Sequence, residues 1–554
     1  MEILLDNNSI KTIEPGTFES FAETRFSFLN YLSLAGNKVE ILKNKTFNGL
    51  KALYKLDLEN NNIQVVEARA FYRLYKIHTI NLNGNRLTNI TNGTFYYRRT
   101  LRELILSDNN ISSLPEGVFA TLKSLRALKL SNNPLLYIHA GLLRGLSRLT
   151  DLKMEHCGIK EIEPNSLSPL KALNRLSLAG NKVEILKNKT FNGLKALYKL
   201  DLENNNIQVV EARAFYRLYK IHTINLNGNR LTNITNGTFY YRRTLRELIL
   251  SDNNISSLPE GVFATLKSLR ALKLSNNPLL YIHAGLLRGL SRLTDLKMEH
   301  CGIKEIEPNS LSPLKALNRL NLARNSLNRI SNNLFSNLRY IARLYLEMNE
   351  IQFIENNSFE GHDFLGRLFL HGNKLSKIAT GVFDPLRRCQ FLTLNNNNIS
   401  EIEPGALKGL KSIETIFLQY NRLDRVKKED FASLSTLERL YLFDNKISVI
   451  EPGSFPQRHL AQLLLYKNPT LSSITIVADG NSKPNVTVYM FSENLPSVPV
   501  KDGVHLNVLQ TNGFRCRDDT YTCQICPRGT YSRGDGVSKG CLPCPAGNTT
   551  GIQY

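Results

Sequence analysis

Residues 53–74 read LYKLDLENNNIQVVEARAFYRL. Leu56 and Leu58 alternate with Lys55, Asp57 and Glu59, the period-two pattern of a short strand with one apolar face. Asn61 then breaks the apolar series, which Ile63, Val66, Phe71 and Leu74 resume at irregular spacing. The frame recurs with asparagine at 37, 61, 85, 109 and 133, Cys157 in its place once, then Asn181 through Asn277, Cys301, and Asn325 through Asn445, in steps of 24 residues. Asn8 precedes the series by 29 and Asn468 follows by 23, giving about 20 units.

A period of this size marks a solenoid, in which each unit buries its apolar face only against its neighbours. The strands are expected to stack in parallel about 4.8 Å apart, with their leucines inward. Each asparagine sits where the chain turns off the strand and leaves backbone groups facing the interior, which an amide side chain can satisfy and an apolar one cannot. The phenylalanines at 47, 71, 95 and 119 fill the bulkier outer arc. The consensus LxxLxLxxNxLxxLxxxxFxxL resembles the "typical" leucine-rich repeat that dominates the ectodomains of Toll-like receptors and Slit proteins, over roughly residues 1–469. The expected fold class is an α/β solenoid: a horseshoe with a parallel concave sheet, a mostly irregular or short 3-10 or helical convex side, and a small disulfide-rich C-terminal module. Its divisions are expected at 1–469 (solenoid), 470–513 (cap or linker) and 514–554 (cysteine-rich module).

The chain is 42% hydrophobic and 21% charged, a folded composition. Its net charge of +22 invites a nucleic-acid reading, but residues 32–175 recur identically as 176–319. That block holds 21 Lys plus Arg against 11 Asp plus Glu, so its two copies supply +20 of the +22. The charge is dispersed over coils, and no nucleic-acid partner is expected. Identity at positions that should face water fits a recent duplication, or an error in assembling the sequence, better than any structural need.

Ligand binding is expected on the concave face. In the duplicated block this face is small or polar (Asp57, Glu59, Asn81, Asn83), whereas later central positions read Tyr345, Phe369, Thr393, Phe417 and Tyr441. Arg343, Arg367 and Arg439 stand two residues before three of these, and Tyr420, Phe443 and Tyr466 lie close by. Exposed aromatics flanked by arginine have the composition of binding hot spots. Arg343, Tyr345, Arg367, Phe369, Phe417 and Tyr441 are therefore the candidate ligand residues, their aromatics expected on the solvent side. A second candidate is a basic column four residues after the phenylalanine position: Lys51, Arg99, Lys123, Lys171, Lys195, Arg243, Lys267, Lys315, Arg339, Arg387 and Lys411. It would suit an acidic, heparin-like glycan.

Cys157, Cys301 and Cys389 are read as buried core thiols, with no histidine placed to activate them; neither catalytic motif, cofactor nor metal ligand set is expected there. Cys516, Cys523, Cys526, Cys541 and Cys544 crowd the last residues. The two C-x2-C pairs, 14 residues apart, have spacing that zinc can use. However, CPRGTYS…GCLPCPAG resembles the ephrin-receptor-like and tumour-necrosis-factor-receptor-like modules, which implies disulfides, Cys526 with Cys541 among them. Cys544 would then need a partner beyond Tyr554. Thirteen N-x-S/T sequons, including Asn44, Asn89, Asn110, Asn356, Asn398 and Asn485, are expected to carry sugars if the chain is secreted. No signal peptide or 18-residue apolar span is visible, so a leader or anchor is expected outside this chain. The expected role is an extracellular receptor ectodomain, or an adhesion and recognition protein, binding a protein ligand or co-receptor; the alternative is a matrix glycan binder.

Overall fold

The computed structural model describes residues 1–23, 28–95, 99–239, 244–332, 334–456, 459–468 and 471, and the strand backbones at 486–491, 504–509, 514–516, 523–525, 530–531 and 542–543. It comprises two units, Met1–Leu317 and Asn318–Tyr554.

In each unit the LxL segments form three-residue strands paired in parallel at a one-repeat offset. Tyr31–Ser33 pairs with Lys55–Asp57, and that with Thr79–Asn81, so that Leu32, Leu56 and Ile80 fall in one row. In the second unit Arg319–Asn321, Arg343–Tyr345, Arg367–Phe369, Phe391–Thr393, Thr415–Phe417, Arg439–Tyr441 and Gln462–Leu464 follow the same register. The parallel pairing continues past residue 469 through Val486–Phe491 and Val504–Leu509. Further on, Phe514–Cys516 runs antiparallel to Cys523–Ile525, with Cys516 opposite Cys523. The return arcs carry two-residue strands such as Ile41–Leu42 beside Val65–Val66. Helix is sparse, with a 3-10 turn at Glu19–Glu23 and an α-turn at Lys428–Phe431.

The asparagine spine works as the sequence implies. Asn61 Nδ2 donates to the Leu34 carbonyl of the preceding coil at 2.9 Å and to Leu58 of its own at 3.2 Å, while its Oδ1 accepts from Val39 N–H at 3.1 Å. Asn85, Asn349 and Asn421 repeat this. Without them, buried carbonyls and amides would be orphaned at roughly 1–3 kcal/mol each. Cys157 keeps part of the role: its Sγ donates to Leu130 O at 3.2 Å. The phenylalanines form a second spine, Phe47–Phe71 and Phe71–Phe95 stacking at 6.0 and 5.9 Å.

Candidate ligand-binding face

Strand alternation sends Leu344, Leu368, Ile416 and Leu440 into the core and their neighbours to the opposite sheet face. Parallel register then sets equivalent residues side by side. Arg319, Arg343 and Arg367 form one row, and Tyr345 beside Phe369 another, their rings stacked at 4.6 Å and 8°. Arg343 and Tyr345 are half-buried and Arg367 is exposed.

The remaining aromatics overturn the expectation of solvent-facing rings. Phe369 is 1% exposed, and Phe417 and Tyr441 are each 4% exposed. They lie on the expected side of the strand but not in the open. Phe417, Tyr441, Phe443, Leu464 and Tyr466 pack into an apolar cluster of their own, with Phe391 against it. Phe417–Tyr441 stacks at 4.4 Å and Phe443–Tyr466 at 4.3 Å. The cause is strand spacing: rings on adjacent parallel strands sit at contact distance, so each covers its neighbours' faces. Even short residues in this column are buried, with Asp57 at 9% and Asn81 at 7%. Position in the repeat tells which face a side chain takes; crowding along the ladder decides what solvent reaches. Burial also holds nearby histidines below their usual value: His371 falls to about 4, by burial first and the Arg324 charge second, and His362 is lowered likewise by burial.

In the duplicated block the same face is a polar network. Asn81 Nδ2 donates to Asp57 Oδ1 at 2.9 Å and Glu59 Oε2 at 3.0 Å. The second copy reproduces it with Asn225, Asp201 and Glu203, both contacts at 3.0 Å. The copies differ where the preceding coil differs. Lys55 Nζ lies 4.4 Å over the Tyr31 ring, whereas the equivalent Lys199 follows Arg175. Burial pulls the Lys55 ammonium down, but its contacts with Tyr31 and Asp57 outweigh this and hold it above the ordinary lysine value.

Sequence reasoning missed an aromatic flank just ahead of the strands. In the first unit Tyr54 stacks on His78 at 4.2 Å, beside an open cleft of about 630 Å³ that Tyr31, Tyr75 and Lys76 also line. In the second, Tyr340 and Phe364 are 60% and 48% exposed. The signal was available: apolar rings exactly one repeat apart, at a place that Lys76, Thr100 and Ser124 fill elsewhere.

The basic column is exposed at every described member, from Lys51 to Lys411; Arg243 lies outside the described residues. Asn44, Asn89, Asn110, Asn356 and Asn398 are all exposed, while Asn485, Cys526 and Cys541 lie outside the described residues. Cys157, Cys301 and Cys389 are buried thiols outside any disulfide, pushed up by burial to about 11, 11 and 12. Among the described residues no group of three or more His, Cys, Asp or Glu is placed to hold a metal ion, and no helix is long and apolar enough to cross a membrane.

Family comparison agrees with this architecture. The leucine rich repeat model matches residues 27–87, 51–97, 99–159, 147–207, 195–242, 243–303, 299–351, 339–399 and 387–447, and the chain belongs to the leucine-rich repeat family. Residues 513–553 match the model for the tyrosine-protein kinase ephrin type A/B receptor-like module. Toll in the Toll–Spatzle complex of Drosophila is similar at TM-score 0.65 and 18% identity, over 88% of this chain and 60% of that one. YopM of Yersinia enterocolitica is similar at TM-score 0.56 and 19% identity, over 91% of each chain. A leucine-rich repeat protein of Leptospira interrogans is similar at TM-score 0.51 and 25% identity, over 77% of this chain and 93% of that one. No curated protein sequence matches the chain.

Proposed function

We propose that this chain is the extracellular recognition part of a cell-surface receptor or adhesion protein, non-enzymatic, and that it binds a protein ligand through the solvent side of its sheet. The observation that carries the reading is the row of Arg319, Arg343 and Arg367 beside the Tyr345–Phe369 stack. Like charges on adjacent strands repel one another and weaken the sheet. Among the described residues no carboxylate lies within 4.0 Å of these guanidinium groups, and the Arg367 guanidinium lies only over the Phe391 ring, at 6.0 Å. A ligand can compensate for the row. The C-terminal match to a receptor-type cysteine-rich module and the exposed sequons support the compartment.

The second reading, a glycan binder, has its own support in the exposed basic column. One experiment separates the two. The chain, secreted behind a heterologous leader, is expected to bind intact cells in a manner abolished by trypsin treatment of those cells and insensitive to heparinase. Heparinase-sensitive binding lost in moderate salt would favour the glycan reading. Failure to leave the cell, or to change mobility on deglycosylation, would remove the extracellular assignment.

A further inference from the structure

Tyr340 and Phe364 occupy equivalent places in successive coils, their rings 6.0 Å apart at 28°. The Arg388 guanidinium continues the row at 4.9 Å from the Phe364 centroid. Each ring comes three residues before an arginine of the strand row, Arg343 and Arg367. Between ring row and arginine row the chain carries Ala342 and Gly366, joined by the Gly366 N–H bond to Ala342 O at 3.0 Å. A Cβ at Gly366 would make only ordinary contacts, with Ala342 O at 3.7 Å and Gln390 Oε1 at 4.0 Å, so the floor between the rows is shallow. Two exposed rings, a shallow floor and three arginines thus share one corner spread over three successive coils. Among the described residues Arg388, too, has no carboxylate within 4.0 Å.

An independent feature picks out the same side. In the repeats, sequons fall one, four or seven residues after the spine asparagine (Asn110 and Asn398 at the first place, Asn89 at the second, Asn44 and Asn356 at the third), apart from Asn7, one residue before Asn8. The corner lies six to nine residues before it, with Tyr340 and Arg343 leading to Asn349. No repeat of either unit carries a sequon there. Attached sugars would cover the far side of the coil and leave the ring row and strand row bare.

We propose that the corner built by Tyr340, Phe364 and Arg388 with Arg343 and Arg367 is a docking surface for an acidic polypeptide segment that also presents apolar side chains. Carboxylates meet the unpaired guanidinium groups, and apolar side chains cover rings that are otherwise half in water. A polyanion without apolar groups satisfies the arginines and leaves the rings bare. This rests on the protein-ligand reading above, but its test does not need the natural ligand.

The secreted chain is titrated with a synthetic peptide of repeating Glu-Glu-Phe, with repeating Glu-Glu-Ser, and with heparin. The Phe-containing peptide is expected to bind in a salt-sensitive way, about tenfold tighter than the Ser-containing one. Arg343→Gln with Arg367→Gln, and separately Tyr340→Ala with Phe364→Ala, should each weaken it by about tenfold or more. Tyr340→Asn with Ala342→Thr creates a sequon in the bare lane, and its glycosylated product should lose the peptide altogether. Equal affinity for the two peptides, unchanged binding in the ring variant or the glycosylated one, or heparin binding at the arginines with no peptide binding would each overturn the proposal. Trypsin-sensitive cell binding unaffected by these variants would sink the corner and leave the protein-ligand reading standing. Peptide binding without any cell binding would do the reverse.

Discussion

The sheet face around Asp57 and Asn81 and the face around Phe417 and Tyr441 are built on the same backbone, register and core, yet one is a hydrogen-bonded polar network and the other a small apolar core. The leucines and spine asparagines are common to both, so the difference rests wholly on the residues between them. In a solenoid those residues are chosen coil by coil, with only nearest neighbours to satisfy. The duplicated block makes the same point from the other side. Identical sequence gives the same Tyr–His stack at 4.2 Å in both copies, and the environment changes at the joint, where Lys55 meets Tyr31 and Lys199 meets Arg175.

The sharpest way to break the comparison is to truncate both faces. Phe417→Ala with Tyr441→Ala should destabilise the second unit strongly, about 3–5 kcal/mol per ring, because each leaves a cavity in packed apolar surroundings. Asn81→Ala should cost less, about 1–3 kcal/mol, since it orphans the buried Asp57 carboxylate but opens no apolar cavity. Urea unfolding of the two variants measures the gap; comparable losses would mean that the aromatic cluster is surface after all. Next in size is the spine. Asn349→Ala leaves the Leu322 and Leu346 carbonyls and the Leu327 amide without their partner, at roughly 1–3 kcal/mol each less any relaxation, and calorimetry should register it as a clear fall in Tm.

A pH titration separates the two units further. His371 and His362 have folded values below the ordinary 6.5, so the unfolded chain takes up protons first as pH falls. The contribution of His371 is complete above pH 6.5 and is lost on descending from 6.5 towards about 4, and that of His362 is likewise lost on acidification below 6.5. The second unit should therefore lose several degrees of Tm across that window, and His362→Leu, which restores the residue type found at Leu338 and Leu386, should reduce the loss. An unchanged pH profile in that variant would show that His362 is not titrating. The smallest effect is chemical. With thiol values of about 11 to 12, Cys157, Cys301 and Cys389 should resist iodoacetamide at pH 8 in the folded chain and react on unfolding.

Most of the fold was legible because its determinants are periodic. The LxL strands, asparagine spine and phenylalanine stack follow from spacing alone, as does the side of the strand on which Phe417 and Tyr441 lie. Their burial was not legible, because it comes from rings on neighbouring strands at contact distance, a property of the ladder rather than of any one repeat. Tyr340 and Phe364 went unnoticed for the opposite reason: they stand outside the strand, where the consensus makes no demand and apolar residues carry no expectation. The face on which Arg343, Tyr345 and Arg367 lie was legible because strand alternation sets it.

Residue-resolved hydroxyl-radical footprinting of the secreted chain tests the account most directly. Tyr340 and Phe364 should be oxidised nearly as fast as in the unfolded chain, while Phe417 and Tyr441 are protected. Rapid oxidation of Phe417 and Tyr441 together with protection of Tyr340 and Phe364 would contradict the assignment of buried and open aromatic surfaces, and with it the placement of the binding corner.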